Sequence, residues 1–476
     1  MAKEDGARVI IQTVERSEIS ALHRLDAWYF VAPGAAASRR IDKAKALGMT
    51  TRTLGGEQGL GRAWMPNRLK QIHASPGEVS KNYLKPYDVF QYLPMAHADL
   101  SVSATKRMKD YELKPGWILQ TRSGRNLGLN AIVDDYLSEY VISDDLIRID
   151  IPDERMRYYT TAFLRSKTGR GILRRDKSGS VIDHLSPAQI ESLEVPVLEE
   201  GVIDSVAALM KRSQDTLAAS RTFLQRQIDA YQKALPAIDR TARSAQGWTV
   251  NFADFTARID AASYHPLSHA VAADLLAAGG VLTKDVADVL KPPGRYKTIY
   301  VDEGHGVPFM SGTQILQQQF AKPQYMAPAA FKDVEDYKLA PGWTLYQADG
   351  RSEKNLGITS MVTSARDGWT ASGHVGRLRA KDKADAGWLW IASRTDHFAI
   401  QLKASASGSV VDATYPEDAE QVVLPPRLDV DSAAIIEAWE GFALAESLEA
   451  KAVAEFDKAL AQLTGIDDDE LEEDSA

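Results

Sequence analysis

No cysteine occurs among the 476 residues, which excludes disulfides and thiolate metal sites at the outset. The nine histidines show no ligand spacing such as HxxxH, so a structural zinc is not expected. No run approaches the roughly 18 uncharged apolar residues that a membrane helix needs, and the opening MAKEDGARVIIQTVERSE lacks the apolar region of a signal peptide. The expected location is therefore the cytoplasm. Catalytic signatures are missing too: there is no GxxxxGK[ST] phosphate loop, no GxSxG elbow and no HExxH helix. The glycines of LGGEQGLGRAW, Leu54 to Trp64, lack the preceding strand and following helix of a dinucleotide turn and read as a loop. Asp134/Asp135 and Asp144/Asp145 are adjacent pairs, whose side chains on a strand would point to opposite faces, so they read as strand ends or caps. His184 has no nucleophile at a motif distance and reads as structural.

What is present is ordinary globular material, 44% hydrophobic and 25% charged, enough for two or three domains. The net charge of −9 is unevenly spread. The tail DDDELEED, Asp467 to Asp474, holds seven acidic residues and reads as disordered, leaving −2 on the remainder. Basic stretches stand out against that near-neutral body: Arg39, Arg40, Lys43 and Lys45; Arg165, Lys167, Arg170, Arg174, Arg175 and Lys177; Arg377, Arg379, Lys381 and Lys383. A charge run is most often a solvated face, and its alternative use is to hold phosphate.

The chain also says the same thing twice. YELKPGWILQTRSGRNLG from Tyr111 returns as YKLAPGWTLYQADGRSEKNLG from Tyr337, with three residues inserted. SGSVIDHLSP from Ser178 returns as SGSVVDATYP from Ser407, and RLDAWYF from Arg24 as RIDAASY from Arg258. Three landmarks recur in one order at offsets of 226 to 234 residues, too long for a solenoid, so two copies of one domain are expected.

Each copy is followed by a long helical pattern. From Ile203 to Leu235 there is no glycine or proline, and Met210, Leu217, Leu224 and Tyr231 form a seven-residue seam flanked by Val206, Ile228 and Leu235. Pro236 ends it. From about Ser432 to Leu463 a second seam offers Ile435, Trp439, Phe442, Leu448, Ala452, Phe456, Leu460 and Leu463. Each segment would span about 50 Å. Two such helices suit an antiparallel coiled coil; the alternative is that each packs on its own domain. Within the copies, GWILQT, NAIVDD, EYVISDDLIRIDI, GWTLYQ, TSMVT and GWLWIAS read as strands, and Met156 to Arg165 as a helix. The fold class expected is mixed α/β: a first domain over 1–200, a helix over 201–240, a second domain over 241–430, a helix over 431–464 and the acidic tail over 465–476.

These pieces resemble the specificity subunits of type I restriction-modification systems. The resemblance is carried by Arg24-Leu25-Asp26 and Arg258-Ile259-Asp260, the Pro-Gly-Trp strand with its TRSGRNLG turn from Thr121, the YVISDDLIRI run from Tyr140, GSVIDHLSPAQIESLEVPV from Gly179, and the two helices. It extends to about residue 464 and is weaker in the second copy, where the turn lengthens to QADGRSEKNLG and the later stretch becomes ATYPEDAEQ. It implies a DNA reader without a catalytic centre. Each copy would be a target recognition domain for one half of a split sequence, and the helices would space the two and dock DNA adenine methyltransferase subunits. S-adenosylmethionine, ATP and Mg would sit on partner subunits, the latter two on an ATP-dependent motor, and none on this chain. A 50 Å spacer corresponds to at most about 15 base pairs.

The candidate DNA contacts in the first copy are Arg62, Arg68, Arg122, Arg125, Arg165, Lys167, Arg170, Arg174, Arg175 and Lys177, and in the second Lys291, Arg295, Lys297, Arg351, Lys354, Arg377 and Arg379. Arg122 and Arg125 share a turn matched by that of Arg351 and Lys354, although glycines there equally fit a simple hairpin with arginines in water. Met210, Leu217, Leu224, Tyr231, Trp439, Phe442, Phe456 and Leu460 are the expected helix-pairing residues. Segments where the copies diverge, roughly Val31 to Ser103 and Ala262 to Ala329, are the expected places of readout; PGW and SGSV are expected scaffold. A different class remains open, a protein-interaction adaptor, as does a specificity component of a related phage-defence system.

Overall fold

A computed structural model describes residues 33–96, 98–123, 127–175, 184–241, 247–252, 255, 258, 260–291, 297–320, 323–350, 356–408 and 412–467. The chain divides into two compact units, one built from residues up to Phe90, Pro94–Asp215 and Ala445 onward, the other from Gln91–Leu93 and Thr216–Leu444.

The first unit contains α1 (Pro33–Ala46), β1 (Thr50–Thr53), β2 (Arg62–Trp64), β3 (Ser80–Leu84), β4 (Ala98–Ser101), β5 (Ile118–Thr121), β6 (Asn130–Ile132), β7 (Val141–Ile142), β8 (Leu146–Asp150), α2 (Glu154–Arg165), α3 (Lys167–Arg175), β9 (Glu194–Val197) and the start of α4 (Glu200–Ala234). Its central sheet has the order β2-β8-β5-β6, beside a β4-β3-β7 sheet and a β1-β9 pair. Among the described residues of this unit only β3 and β7 run parallel. The second unit adds α5 (Pro266–Ala277), β10 (Val281–Leu282), β11 (Ala287–Leu290), β12 (Tyr300–Val301), β13 (Val307–Met310), β14 (Gln324–Met326), β15 (Thr344–Gln347), β16 (Asp349–Gly350), β17 (Thr359–Met361), β18 (Thr370–Ala371), β19 (Val375–Ala380), α6 (Ala386–Ser393), α7 (Asp396–Ser405), β20 (Asp412–Ala413), β21 (Val423–Leu424) and the start of α8 (Ser432–Thr464). Its order β11-β19-β15-β17 repeats the first central sheet strand for strand, β12-β14-β13-β18 matches the second sheet with one strand added, and β10-β21 matches β1-β9.

The repeated PGW is a turn. Trp117 N–H reaches Lys114 O at 3.2 Å and Trp343 N–H reaches Ala340 O at 3.2 Å, with Gly116 at φ 89° and Gly342 at φ 81°. Proline at the second position and a left-handed glycine at the third are what a type II turn demands. Each turn delivers its tryptophan to the head of β5 or β15. Asp134 caps the short helix Asp135–Ser138, accepting from Leu137 N–H at 2.8 Å, and Asp144 accepts from Leu69 N–H at 3.0 Å. Both acidic pairs thus serve the backbone. In the second copy Arg258 pairs with Asp260 at 2.8 Å and Asp418 at 3.3 Å while Asp260 caps Ala261–Tyr264, so this landmark is scaffold. Its first-copy match, Arg24 to Asp26, lies outside the described residues.

One expected strand is a helix. GWLWIAS lies in α6, and every residue of α6 is buried. An apolar run buried all round has no polar face from which to read a period, and here the sheet beneath it decides.

The long helices run where the seams placed them, Glu200–Ala234 and Ser432–Thr464. Met210, Leu217, Leu224, Tyr231, Trp439, Phe442, Phe456 and Leu460 are all buried, whereas Leu463 is exposed. The helices lie antiparallel. In the first unit Ser213 Oγ donates to Ala445 O at 2.7 Å, and Met210 shares a core with Ala452, Phe456 and Leu460. In the second unit Gly441 faces Ser220, whose Oγ lies 2.2 Å from where a Cβ would be. The seams also pack on the domains: Phe456 meets Tyr159 and Phe163 at ring-centroid distances of 5.6 and 5.7 Å, and Tyr231 Oη donates to Pro426 O at 2.8 Å. The alternative of each helix packing only on its own domain is therefore excluded, because the end of α8 belongs to the first unit and the end of α4 to the second.

The stretch Gln91–Leu93, flanked on both sides by first-unit chain, is built into the second unit. Buried Arg221 donates to Tyr92 O at 2.9 Å and Gln91 O at 2.8 Å, Tyr92 N–H donates to Leu316 O at 2.9 Å, and the Tyr92 ring packs on Trp439 and Phe442.

Candidate nucleic-acid interface

In the first unit β5 ends at the turn that opens the candidate surface. Arg122 O accepts from Leu185 N–H at 2.7 Å and Ser123 bridges His184, so the returning chain anchors the base of the turn. The Arg122 guanidinium is held by Met65 Sδ at 3.0 Å. Across the sheet, Arg62 is largely exposed, 3.4 Å from Asp150 and 4.7 Å above the Trp64 ring, which meets Trp117 edge-on at 4.7 Å. Lys114 lies 5.7 Å over Trp117. Arg68 and Lys70 are exposed. These groups form a basic and aromatic surface of the kind that holds phosphate and stacks on bases.

The basic run on α2 and α3 divides. Arg165 is withdrawn from the candidate contacts: it is buried, donates to Asn130 Oδ1 at 2.8 Å and Asn130 O at 3.0 Å, and pairs with Glu449 at 2.6 Å. Arg40 is likewise buried, bonded to Thr168 Oγ1 and Asp457 O at 3.1 and 2.9 Å. Arg170 is half-buried and its pKa is lowered, chiefly by burial, with Glu449 opposing. Lys167 and Arg174 are exposed. Arg125 and Lys177, and the side chain of Arg175, lie outside the described residues.

In the second unit Arg377 is also withdrawn. It is 2% exposed, and its guanidinium donates to Tyr337 O at 3.0 Å and Asp336 O at 3.3 Å, so it stitches the core. Arg379, two residues on and so on the same face of β19, is instead half exposed, 2.8 Å from Asp288 and 6.0 Å over the Trp343 ring. Asp288 and Arg379 hold the cross-strand place of Arg62 and Asp150 with the charges exchanged. Lys297 is exposed, and Lys381 Nζ donates to Lys284 O at 2.6 Å. Arg295, Arg351 and Lys354 lie outside the described residues.

Strand pairing in this unit also assembles a connected row that no basic run in the sequence announces. Lys291 lies 5.1 Å over the Tyr415 ring and 3.6 Å from Asp349 Oδ1, and Asp349 Oδ2 bonds His374 Nδ1. Lys291 Nζ also donates to Thr414 O at 3.4 Å. Of these only Lys291 stood out in the sequence, because the others are isolated polar residues brought together by strand pairing.

Among the described residues no group of three or more histidine, aspartate or glutamate side chains is placed to hold a metal ion. A groove of about 210 Å³ in the first unit is lined by Ser38, Ile41, Asp42, Ile172, Ser192, Leu193 and Glu194. No described helix is long and apolar enough to cross a membrane.

No protein-family model matches the sequence, and no curated protein matches it. Among solved structures, the chain is similar to a type I restriction-modification system S subunit from M. genitalium, with 11% identity over 89% of this chain and 98% of that one, TM-score 0.27. It is similar to a chain from a study of complex assembly and conformational transition of the type I R-M system, 15% identical over 86% and 98%, TM-score 0.27. It is also similar to the HsdS subunit from Thermoanaerobacter tengcongensis, 14% identical over 86% and 99%, TM-score 0.24. Superpositions of this quality transfer no residue or geometry.

Proposed function

We propose that this chain is the specificity subunit of a type I restriction-modification system, a DNA reader that recognises a split target and docks methyltransferase subunits. The observation that carries the reading is a duplicated sheet order whose scaffold recurs while its exposed charged and aromatic groups differ. PGW turns, strand order and the β1-β9 and β10-β21 pairs repeat. At equivalent positions, exposed for the arginines and half-buried for the aspartates, Arg62 becomes Asp288 and Asp150 becomes Arg379. Two readers of unlike half-sites need a common frame and unlike contact groups, because positioning contacts to phosphate and sugar carry no sequence information.

The two continuous antiparallel helices serve as the spacer and as the docking surface for partners. The chemistry belongs to those partners: S-adenosylmethionine on an adenine methyltransferase that flips its target base, ATP and Mg on a motor subunit. The test is sequencing of modified bases in the host genome with and without this gene. A split methylated motif that vanishes on deletion supports the reading. An unchanged methylome, with the methyltransferase expressed, refutes it.

A further inference from the structure

We infer that His374, oriented by Asp349, is a base-reading group of the second recognition unit, with Tyr415 at the other end of the same row as a stacking face; this rests on the function proposed above. The row Tyr415, Lys291, Asp349, His374 has a shielded middle and open ends. The Asp349 side chain is 14% exposed and His374 is 70% exposed, with Tyr415 also exposed. Lys291 lies 3.6 Å from Asp349 Oδ1, and Asp349 Oδ2 takes the bond from His374 Nδ1. The backbone of His374 is fixed at both ends, its N–H donating to Ser372 Oγ at 3.2 Å and its carbonyl accepting from Ala348 N–H at 3.0 Å.

A stability role is a poor account of this arrangement, because an ion pair on a ring so exposed contributes little to folding. Orientation is a better one. A carboxylate bonded to one imidazole nitrogen fixes where the other points and what it offers. With Nδ1–H donating to Asp349, Nε2 of the neutral ring faces outward as an acceptor, suited to the amino group of adenine or cytosine. The protonated ring instead presents a donor, suited to guanine O6 or N7.

The row is private to the second unit. The contact of Ala348 O with Thr414 N–H matches that of Arg122 O with Leu185 N–H, and the Asp349–Ala413 pairing matches Ser123–His184. Equivalent strand partners Gln347–Val375 and Thr121–Leu146 place Asp145 where His374 stands. Serine and aspartate in the first unit cannot make this dyad, as expected if it reads a base found in only one half-site.

The test compares methylated motifs in cells carrying the methyltransferase with the unaltered chain, His374→Ala or Asp349→Asn. Expected is an unchanged first element and a second element in which discrimination at one base falls about five- to tenfold, the scale of one lost hydrogen bond; Asp349→Asn relaxes the same base less. Unaltered motifs in both variants, relaxation in both elements, or loss of all methylation from a folded and assembled chain would each overturn the assignment. Absence of a split motif with the unaltered chain would instead overturn the function on which it rests.

Discussion

Arg165 and Glu449 form a 2.6 Å ion pair with side chains 5% and 16% exposed, joining α2 to α8 within the first unit. Removing one partner leaves the other charge buried and unpaired. Glu449→Ala should destabilise the unit by about 3 kcal/mol, read as a lowered urea midpoint, whereas Asp150→Ala, at the exposed Arg62 pair, should cost about 0.5 kcal/mol or less.

Tyr346 and Gly376 are cross-strand partners in the second sheet, where Gln120 and Ile147 stand in the first. A Cβ on Gly376 would fall 2.1 Å from Cζ of the buried Tyr346 ring. Gly376→Ala should therefore cost about 2 kcal/mol or more, the range of core overpacking. Tyr346→Gln, which restores the first-unit residue, should recover part of that loss; additive losses in the double variant would refute this packing.

His397 is buried, with Nε2 2.9 Å from Pro236 O and Nδ1 3.5 Å from Gln232 Nε2. Burial holds its pKa below the ordinary 6.5, outweighing the Pro236 carbonyl and the carboxylates of Asp396 and Asp274, while Arg240 adds to the lowering. The unfolded chain therefore takes up the proton first as pH falls. The contribution to stability is complete above about pH 6.5 and declines as pH drops from there toward the folded value. Urea midpoints measured from about pH 7.5 to about pH 5.5 should fall, and His397→Gln should flatten the slope.

Leu224 and Phe456 are fully buried in different units. A charge at either place has no partner, so Leu224→Asp and Phe456→Asp should each cost several kcal/mol, about 3 or more. Hydrogen exchange should show the loss concentrated in the second unit for the former and the first unit for the latter. Uniform loss in both would indicate a single cooperative block.

Much of this frame was legible in the sequence. GWILQT and GWTLYQ contain β5 and β15 as expected, whereas the Pro-Gly-Trp expected as strand is a turn, its proline and left-handed glycine fitting type II angles better than a ladder. The two long helices declared themselves by unbroken seams ending at Pro236 and after Thr464. The basic surface was less legible, since a run of arginines does not say which of them is covered: Arg377 and Arg379 share one face of β19, yet Arg377 is roofed by the Asp336 and Tyr337 carbonyls while Arg379 is left at the surface. The Asp349–His374 dyad was hidden because its members are 25 residues apart and meet only through strand pairing.

The lodging of Gln91–Leu93 in the second unit bears on how such a chain can diversify. A splice that replaces the second half but keeps Tyr92 must bring counterparts of Arg221, Leu316 and Trp439, or the retained stretch is left with unmet carbonyls and an unpacked ring. Exchange of halves between chains of this kind is thus restricted to incoming halves that match these three residues.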